Sequence, residues 1–276
     1  MSDKNPSAQA AQPLSEEAGS VHVVRPRDGI ALVTITSSPL GVLRHAVKRL
    51  LLRELSDLEA DLSVRCVVIT GLGKAFSVGS DIHDFSQEVG WLLENDYVEA
   101  GLNQAIEETR FPVIAACNGY ALGGGAVLAL ACDLRIAAES AHFGFPEVKV
   151  GAFASGSGTQ RLPRLVGRGR ALDLLLTGRT IDAAEALRIG LVEYVYPDAD
   201  MLPKALDLAE LIASMPGAVT AATKQCVNIG LRQGFQAGLL QEMELRVKTG
   251  RGVDAAEGRA AFLEKRSPRF NQDLPE

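Results

Sequence analysis

The sequence predicts an α/β core that gives way to an all-helical C-terminal region. Three observations carry this. From Val21 to Ser140, β-branched runs alternate with helical stretches; a GGG cluster at 123–125 stands between an apolar strand and an apolar helix; and beyond Gly158 the texture is helical. A repeated strand, helix, strand order predicts parallel strands with helices packed on their faces.

Each element can be justified in turn. VHVVRPRDGIALVTIT (Val21 to Thr36) holds two β-branched runs separated by Pro26, Arg27, Asp28 and Gly29, a strand, a turn and a strand. Leu43 to Leu62 places leucine and valine at helical spacing with charges between, an amphipathic helix. VRCVVIT (Val64 to Thr70) is a continuous apolar run, hence a buried strand, which Gly71 and Gly73 end. The segment Asp81 to Arg110 is mixed, with Trp91 and a helix around Val98 to Glu108. Pro112 then opens a strand over Val113 to Cys117, the glycine turn leads into a helix containing Val127 to Ala131, and Leu134 to Ser140 forms one more strand.

The remainder, RALDLLLTG, IDAAEALRIG and Ala199 to Leu263, is read as helices broken once by Pro216 and Gly217. DAAE at 182–185 and again at 254–257 resembles a capping box with Asp in place of Ser or Thr. The first twenty residues have neither an apolar run nor a basic n-region, so a flexible tail is expected over 1–20 rather than a signal or anchor. The expected division is that tail, an α/β core with the active site over 21–197, and a helical region over 198–276.

Composition narrows the class of function. The 276 residues are 47% hydrophobic and 22% charged, an ordinary globular balance. A net charge of -6 argues against nucleic acid or an anionic membrane as the main partner. No apolar run approaches the roughly 18 residues of a bilayer span, and a soluble cytoplasmic protein is expected. Cys66, Cys117, Cys132 and Cys226 lie in apolar segments without a CxxC pair and read as reduced core residues. His22, His45 and His142 have no carboxylate or cysteine at ligand spacing, so no metal is expected.

The GGG cluster is the sharpest local signal. Glycine is a poor helix former, yet three of them precede AVLALA. Amide N–H groups at a helix start bind negative oxygen, and glycine removes the side chain that would block its approach.

Together the motifs GLGKAFSVGSDIHDF (Gly71 to Phe85), CNGYALGGGAVLALACDLRIA (Cys117 to Ala137), HFGFPEVKVG (His142 to Gly151), GTQRLPRLVG (Gly158 to Gly167) and EGRAAFLEKRSPRF (Glu257 to Phe270) resemble the crotonase superfamily, the enoyl-CoA hydratase/isomerase family. The likeness runs from about Val21 to Phe270. It implies a crotonase-like spiral of ββα units, a C-terminal helical region that covers the active site, a homotrimer or homohexamer, and a coenzyme A thioester as substrate, with no cofactor beyond that coenzyme A. It also implies an oxyanion hole made by the backbone N–H groups of Ser80 and Gly124. Each such donor is worth on the order of 3 kcal/mol to a developing oxyanion, and the helix start adds its positive end.

Hydratases of the family carry two glutamates. The position of the first is Val127 here, whereas the second is retained as Glu147 in FPEV. Hydration needs a base for water and an acid for the α-carbon, and Val127 supplies neither. One carboxylate suffices to take a proton from C2 of a 3-enoyl thioester and return it to C4. Phe143, Phe145, Pro146 and Val148 around Glu147 predict a raised pKa. Double-bond isomerisation is therefore the leading expectation, 2-enoyl-CoA hydration the second, and a non-catalytic acyl-CoA-binding or assembly role the third, since some relatives bind RNA.

The resemblance further implies substrate binding by Ser80, Asp81, Ile82, His83 and Gly124. Asp81 is expected to organise its loop and His83 to border the CoA adenine. Arg44, Lys48 and Arg49 are available for CoA phosphates without a residue-by-residue match, and Lys224 and Lys265 are similar to positions that meet CoA in relatives. Ser155 and Ser157 miss the GxSxG nucleophile elbow, because residue 155 is Ser where Gly is needed. The segment Phe85 to Val98 is the least family-like part of the core.

Overall fold

A computed structural model describes residues 20–38 and 40–271; the predicted tail lies outside them except for Ser20. Two sheets organise the chain. The larger has six strands in the order β1-β2-β3-β5-β7-β10 and the smaller four, β4-β6-β8-β9. Here β1 is Val21–Arg27, β2 Ile30–Ile35, β3 Cys66–Gly71, β4 Ala75–Ser77, β5 Val113–Cys117, β6 Tyr120–Leu122, β7 Leu134–Ala138, β8 His142–Gly144, β9 Thr180–Asp182 and β10 Tyr194–Tyr196.

The parallel expectation holds for most of the large sheet. β1 and β2 form an antiparallel hairpin, while the β2/β3, β3/β5, β5/β7 and β7/β10 pairs are all parallel. Continuous apolar runs mark the central strands because both faces are covered: β5 is buried throughout. The hairpin turn is tighter than the sequence indicated. Arg27 pairs with Ile30 after a register shift, and Pro26 lies within β1, an edge strand where a missing N–H is tolerated.

Helix α1 (His45–Ala60) buries Val47, Leu51, Leu55 and Leu58, the predicted amphipathic stripe. Helix α2 (Val89–Glu108) is longer than expected and starts nine residues earlier than Val98. Its first half leaves Val89, Leu92, Leu93 and Tyr97 exposed, so apolar periodicity failed to mark it. Helix α3 (Gly124–Ala131) is buried from Gly125 onward, a short core helix.

Beyond Gly158 the chain is not wholly helical. Two three-residue strands, β9 and β10, interrupt α4 (Gly158–Val166), α5 (Arg168–Thr177), α6 (Ala183–Ile189) and α7 (Asp198–Ala213). At Asp182 the predicted cap is present, its carboxylate accepting from the Glu185 N–H at 2.7 Å. The second DAAE does not cap: Gly252 precedes α10 (Val253–Glu264), and Asp254 instead accepts from the Asn271 N–H. Helix α7 packs back on the large sheet and buries Met201, Ala205, Ala209 and Ala213. A 104° bend then leads to α8 (Gly217–Gln233) and α9 (Phe235–Gly250), which pair with one another. No single described helix is long and apolar enough to cross a membrane.

Candidate active site

Three loops leave the ends of three adjacent parallel strands. β4, β6 and β8 pair in that order, and within three residues of their last residues come Ser80, Gly124 and Glu147. Loops at the carboxyl ends of parallel strands are where open α/β folds gather ligands. The small sheet thus aligns two backbone donors and one carboxyl group that are far apart in sequence.

The donors are held by backbone contact. Gly79 has φ +85°, and a Cβ there would lie 2.6 Å from the Gly124 nitrogen; a Cβ on Gly124 would lie 3.6 Å from the Ser80 nitrogen. At Gly125 a Cβ would meet the Ser77 carbonyl oxygen at 2.2 Å, so α3 rides directly on β4. Gly123 turns the chain with φ 52° and ψ −129°, and its N–H is used by the Gly144 carbonyl. Neither the Ser80 nor the Gly124 N–H has an acceptor among the described residues. Two free donors close together at a helix start form a site for a negative oxygen.

Glu147 lies in a one-turn 3₁₀ helix, Pro146–Val150, after the buried Phe145. A Cβ on Gly123 would stand 3.4 Å from its Oε1. Its Oε2 is buried with no hydrogen-bond partner among the described residues. Burial pushes the Glu147 pKa up, a backbone hydrogen bond opposes this, and the charge of Glu99 adds to the rise. Such a carboxyl group is suited to take up and return a proton.

Val127, one helical turn beyond Gly124, is fully buried and sits against Gly158, whose Cβ would lie 2.8 Å from Val127 Cγ2. A buried apolar side chain thus stands where the resemblance led to the expectation of an acid in two-glutamate hydratases. A carboxylate nevertheless approaches from elsewhere. Glu99 of α2 is buried and pairs with Lys48 Nζ at 2.6 Å. Lys48 also donates to Ser80 Oγ at 2.8 Å and Asn95 Oδ1 at 3.1 Å, and Ser80 Oγ donates to Glu99 Oε2 at 3.3 Å.

The sequence reasoning missed this cluster. Its signal was present: Lys48 adjoins the apolar stripe of α1, and Glu99 and Asn103 adjoin that of α2. The structure also removes Lys48 from the CoA-phosphate candidates, because its side chain is 1% exposed and its ammonium is saturated by three acceptors. Lys224 is likewise internal, donating to the Ile106 and Phe111 carbonyls, Thr109 Oγ1 and Asp133 Oδ2.

On the rim, Asp81 caps a 3₁₀ turn over Ile82–Asp84 by accepting from the His83 N–H, and receives Arg44 Nε at 3.1 Å. The hydrogen bond from the His83 N–H, its ring and Arg44 hold the Asp81 carboxyl down at about 2. His83 and Ile82 are exposed beside Ser80. Ser80 and Gly124 are therefore neighbours, and Asp81, Ile82 and His83 follow directly from Ser80 in the chain. A separate concavity of about 1140 Å³ lies around Lys224, Asp133 and Arg164 and includes none of these residues. Among the described residues no group of His, Cys, Asp and Glu is arranged to hold a metal. Burial pushes the Cys66 and Cys132 thiols up to about 12.

Neighbouring strand ends that present two main-chain donors and a buried carboxyl group are the arrangement of an enzyme that acts on activated acyl groups. The model of the enoyl-CoA hydratase/isomerase family matches residues 25–273, and the chain belongs to that family, the crotonase superfamily. It is 40% identical to the probable enoyl-CoA hydratase echA8 of Mycobacterium leprae, over 92% of this chain and 95% of that one. It is 36% identical to the 2,3-dehydroadipyl-CoA hydratase of Escherichia coli, over 90% and 97%. The enoyl-CoA hydratase structure from Bacillus anthracis superposes with a TM-score of 0.88 at 34% identity, covering 92% of this chain and 100% of that one.

Proposed function

We propose that this enzyme moves the double bond of an enoyl-CoA, with the thioester oxygen held by the Ser80 and Gly124 N–H groups and Glu147 carrying the proton. The single observation that carries this is the buried, unpartnered Oε2 of Glu147 beside the Gly123 turn. As C2 loses its proton to Glu147, negative charge develops on the thioester oxygen, where the two donors and the start of α3 stabilise it. The proton is then returned at C4. Val127 supports this reading by leaving Glu147 without a second acid from α3.

The chemistry is proton transfer alone and needs no cofactor beyond the coenzyme A of the substrate. Asp81, Ile82 and His83 border the mouth as substrate-binding residues, with Arg44 beside them for a phosphate. Exposed Phe235, Leu240 and Met243 on α9 and Phe262 and Leu263 on α10 support a homotrimer or homohexamer.

Offered a 3-enoyl-CoA, the protein is expected to produce the 2-enoyl isomer, and Glu147→Gln to lower that rate by about 10²–10⁴-fold with little loss of thioester binding. Undetectable migration in the wild type, or full migration in Glu147→Gln, overturns the reading. Hydration of a 2-enoyl-CoA is the second reading, favoured by the second carboxylate, Glu99, lodged beside Gly124.

A further inference from the structure

We infer that Glu99, positioned by Lys48, is the hydroxyl-handling carboxylate of this site: it binds the water that adds to C3 of a 2-enoyl-CoA and, in the reverse direction, the 3-hydroxyl of the hydrated thioester. The inference rests on the thioester site at Ser80 and Gly124, and it assigns to α2 the task that Val127 cannot perform from α3.

Four observations converge on Glu99. First, its two oxygens are differently placed. Oε2 receives Lys48 Nζ at 2.6 Å and the Ser80 hydroxyl at 3.3 Å, whereas Oε1 has no donor among the described residues. Among the described residues Oε1 is not one of the sealed, unpaired oxygens, so it stays open to a donor from a ligand or water. Second, Oε1 faces the site: a Cβ on Gly124 would lie 3.4 Å from it, and a Cβ on Gly156 2.7 Å. Glycine at 156, with φ +58°, leaves the space in which this carboxylate stands. Third, Asn103 fixes the far wall by donating to the Gly156 carbonyl at 2.9 Å. Fourth, the two carboxylates flank consecutive glycines, Glu147 at Gly123 and Glu99 at Gly124, and the charge of Glu99 is felt at Glu147.

Lys48 is a positioning residue. Its three acceptors, Ser80 Oγ, Asn95 Oδ1 and Glu99 Oε2, leave it no donor to spare, so it acts by holding the Glu99 carboxylate and the Ser80 side chain in one arrangement. The ammonium also offsets a negative charge that would otherwise oppose an oxyanion at the adjacent Ser80 and Gly124 N–H groups.

The step balances without a further reactant. An O–H bond of water breaks, its proton passes to Glu99, and the oxygen bonds to C3. The π pair moves onto the α-carbon and thioester oxygen, and the protonated Glu147 delivers its proton to C2. Return of the proton from Glu99 to Glu147 through solvent resets the site, and the net change is addition of H and OH across the double bond.

The test compares two rates on the same purified protein: hydration of crotonyl-CoA and double-bond migration in a 3-enoyl-CoA. Wild type is expected to do both. In Glu99→Gln hydration should fall by about 10²–10⁴-fold, and the ratio of hydration to migration at least tenfold. Lys48→Met should lower kcat for hydration more than it raises KM, with Lys48→Arg restoring part of it. Should Glu99→Gln fail to fold with Lys48 left unpaired, Lys48→Met/Glu99→Gln removes both charges and is assayed in its place. A structure with bound 3-hydroxybutyryl-CoA is expected to show the 3-hydroxyl donating to Glu99 Oε1.

Absence of hydration in the wild type, an unchanged ratio in folded Glu99→Gln or the double variant, or a 3-hydroxyl directed away from Glu99 overturns the inference. Each of these leaves the migration chemistry of Glu147 standing. Retention of migration by Glu147→Gln instead strikes the proposed function and not the role of Glu99.

Discussion

Glu147 shows how a single side chain can trade stability for reactivity. Burial raises its pKa, so the folded protein holds this proton more tightly than the unfolded chain does. Where the folded-state value is the higher one, stability falls as pH rises from the unfolded carboxyl value, about 4.3, through the folded one, because the unfolded state has already released its proton. Glu147→Gln should therefore melt at a higher temperature than wild type at pH 7–8 and show little difference near pH 4, while losing activity. Thermal unfolding at the two pH values checks this, and a variant less stable at pH 7 would contradict it. FPEV made this carboxyl group legible from its apolar neighbours and family spacing. Glu99 and Lys48 were not legible as a pair, because each was an unremarkable charge in its own helix and 51 residues separate them. Only the packing of α1 against α2 brings them together.

At the scale of elements, the contact between α3 and β4 sets the position of the Gly124 donor. Gly125→Ala would press its Cβ against the Ser77 carbonyl at 2.2 Å, a backbone atom that cannot rotate away. The expected result is a destabilisation of about 1–3 kcal/mol from overpacking together with loss of turnover, read by denaturant unfolding and the isomerase assay on one preparation. Gly79→Ala should impair turnover similarly, since the backbone there already has φ +85° and the new Cβ would meet the Gly124 nitrogen. Long elements were legible: β2, β3, β5 and α1 follow apolar runs or apolar spacing. The strands that align the site were not, because β4, β6 and β8 have three residues each, too few for a period to repeat. The N-terminal half of α2 escaped for a different reason, as its exposed apolar residues blur the contrast between faces.

For the whole molecule, stability resides in one apolar core that runs under the large sheet and up through α1 and α3. Leu51, 1% exposed, is central to the α1 contribution. Leu51→Ala should cost about 2–5 kcal/mol, measured as a shift in denaturant midpoint with the slope unchanged. Among the described residues, helices α8 to α10 contribute none to that core and present apolar side chains outward. Sedimentation is expected to show a trimer or hexamer, and Phe262→Asp with Leu240→Asp to shift it toward smaller species.

The small sheet has a consequence for how such a chain can diversify. Each of its three adjacent strands is only three residues deep and ends in its own loop. Exchanging one loop re-aims one group while the register of the other two stays pinned by their neighbours. New chemistries can then be tried tooth by tooth, as on a comb whose spine is never touched.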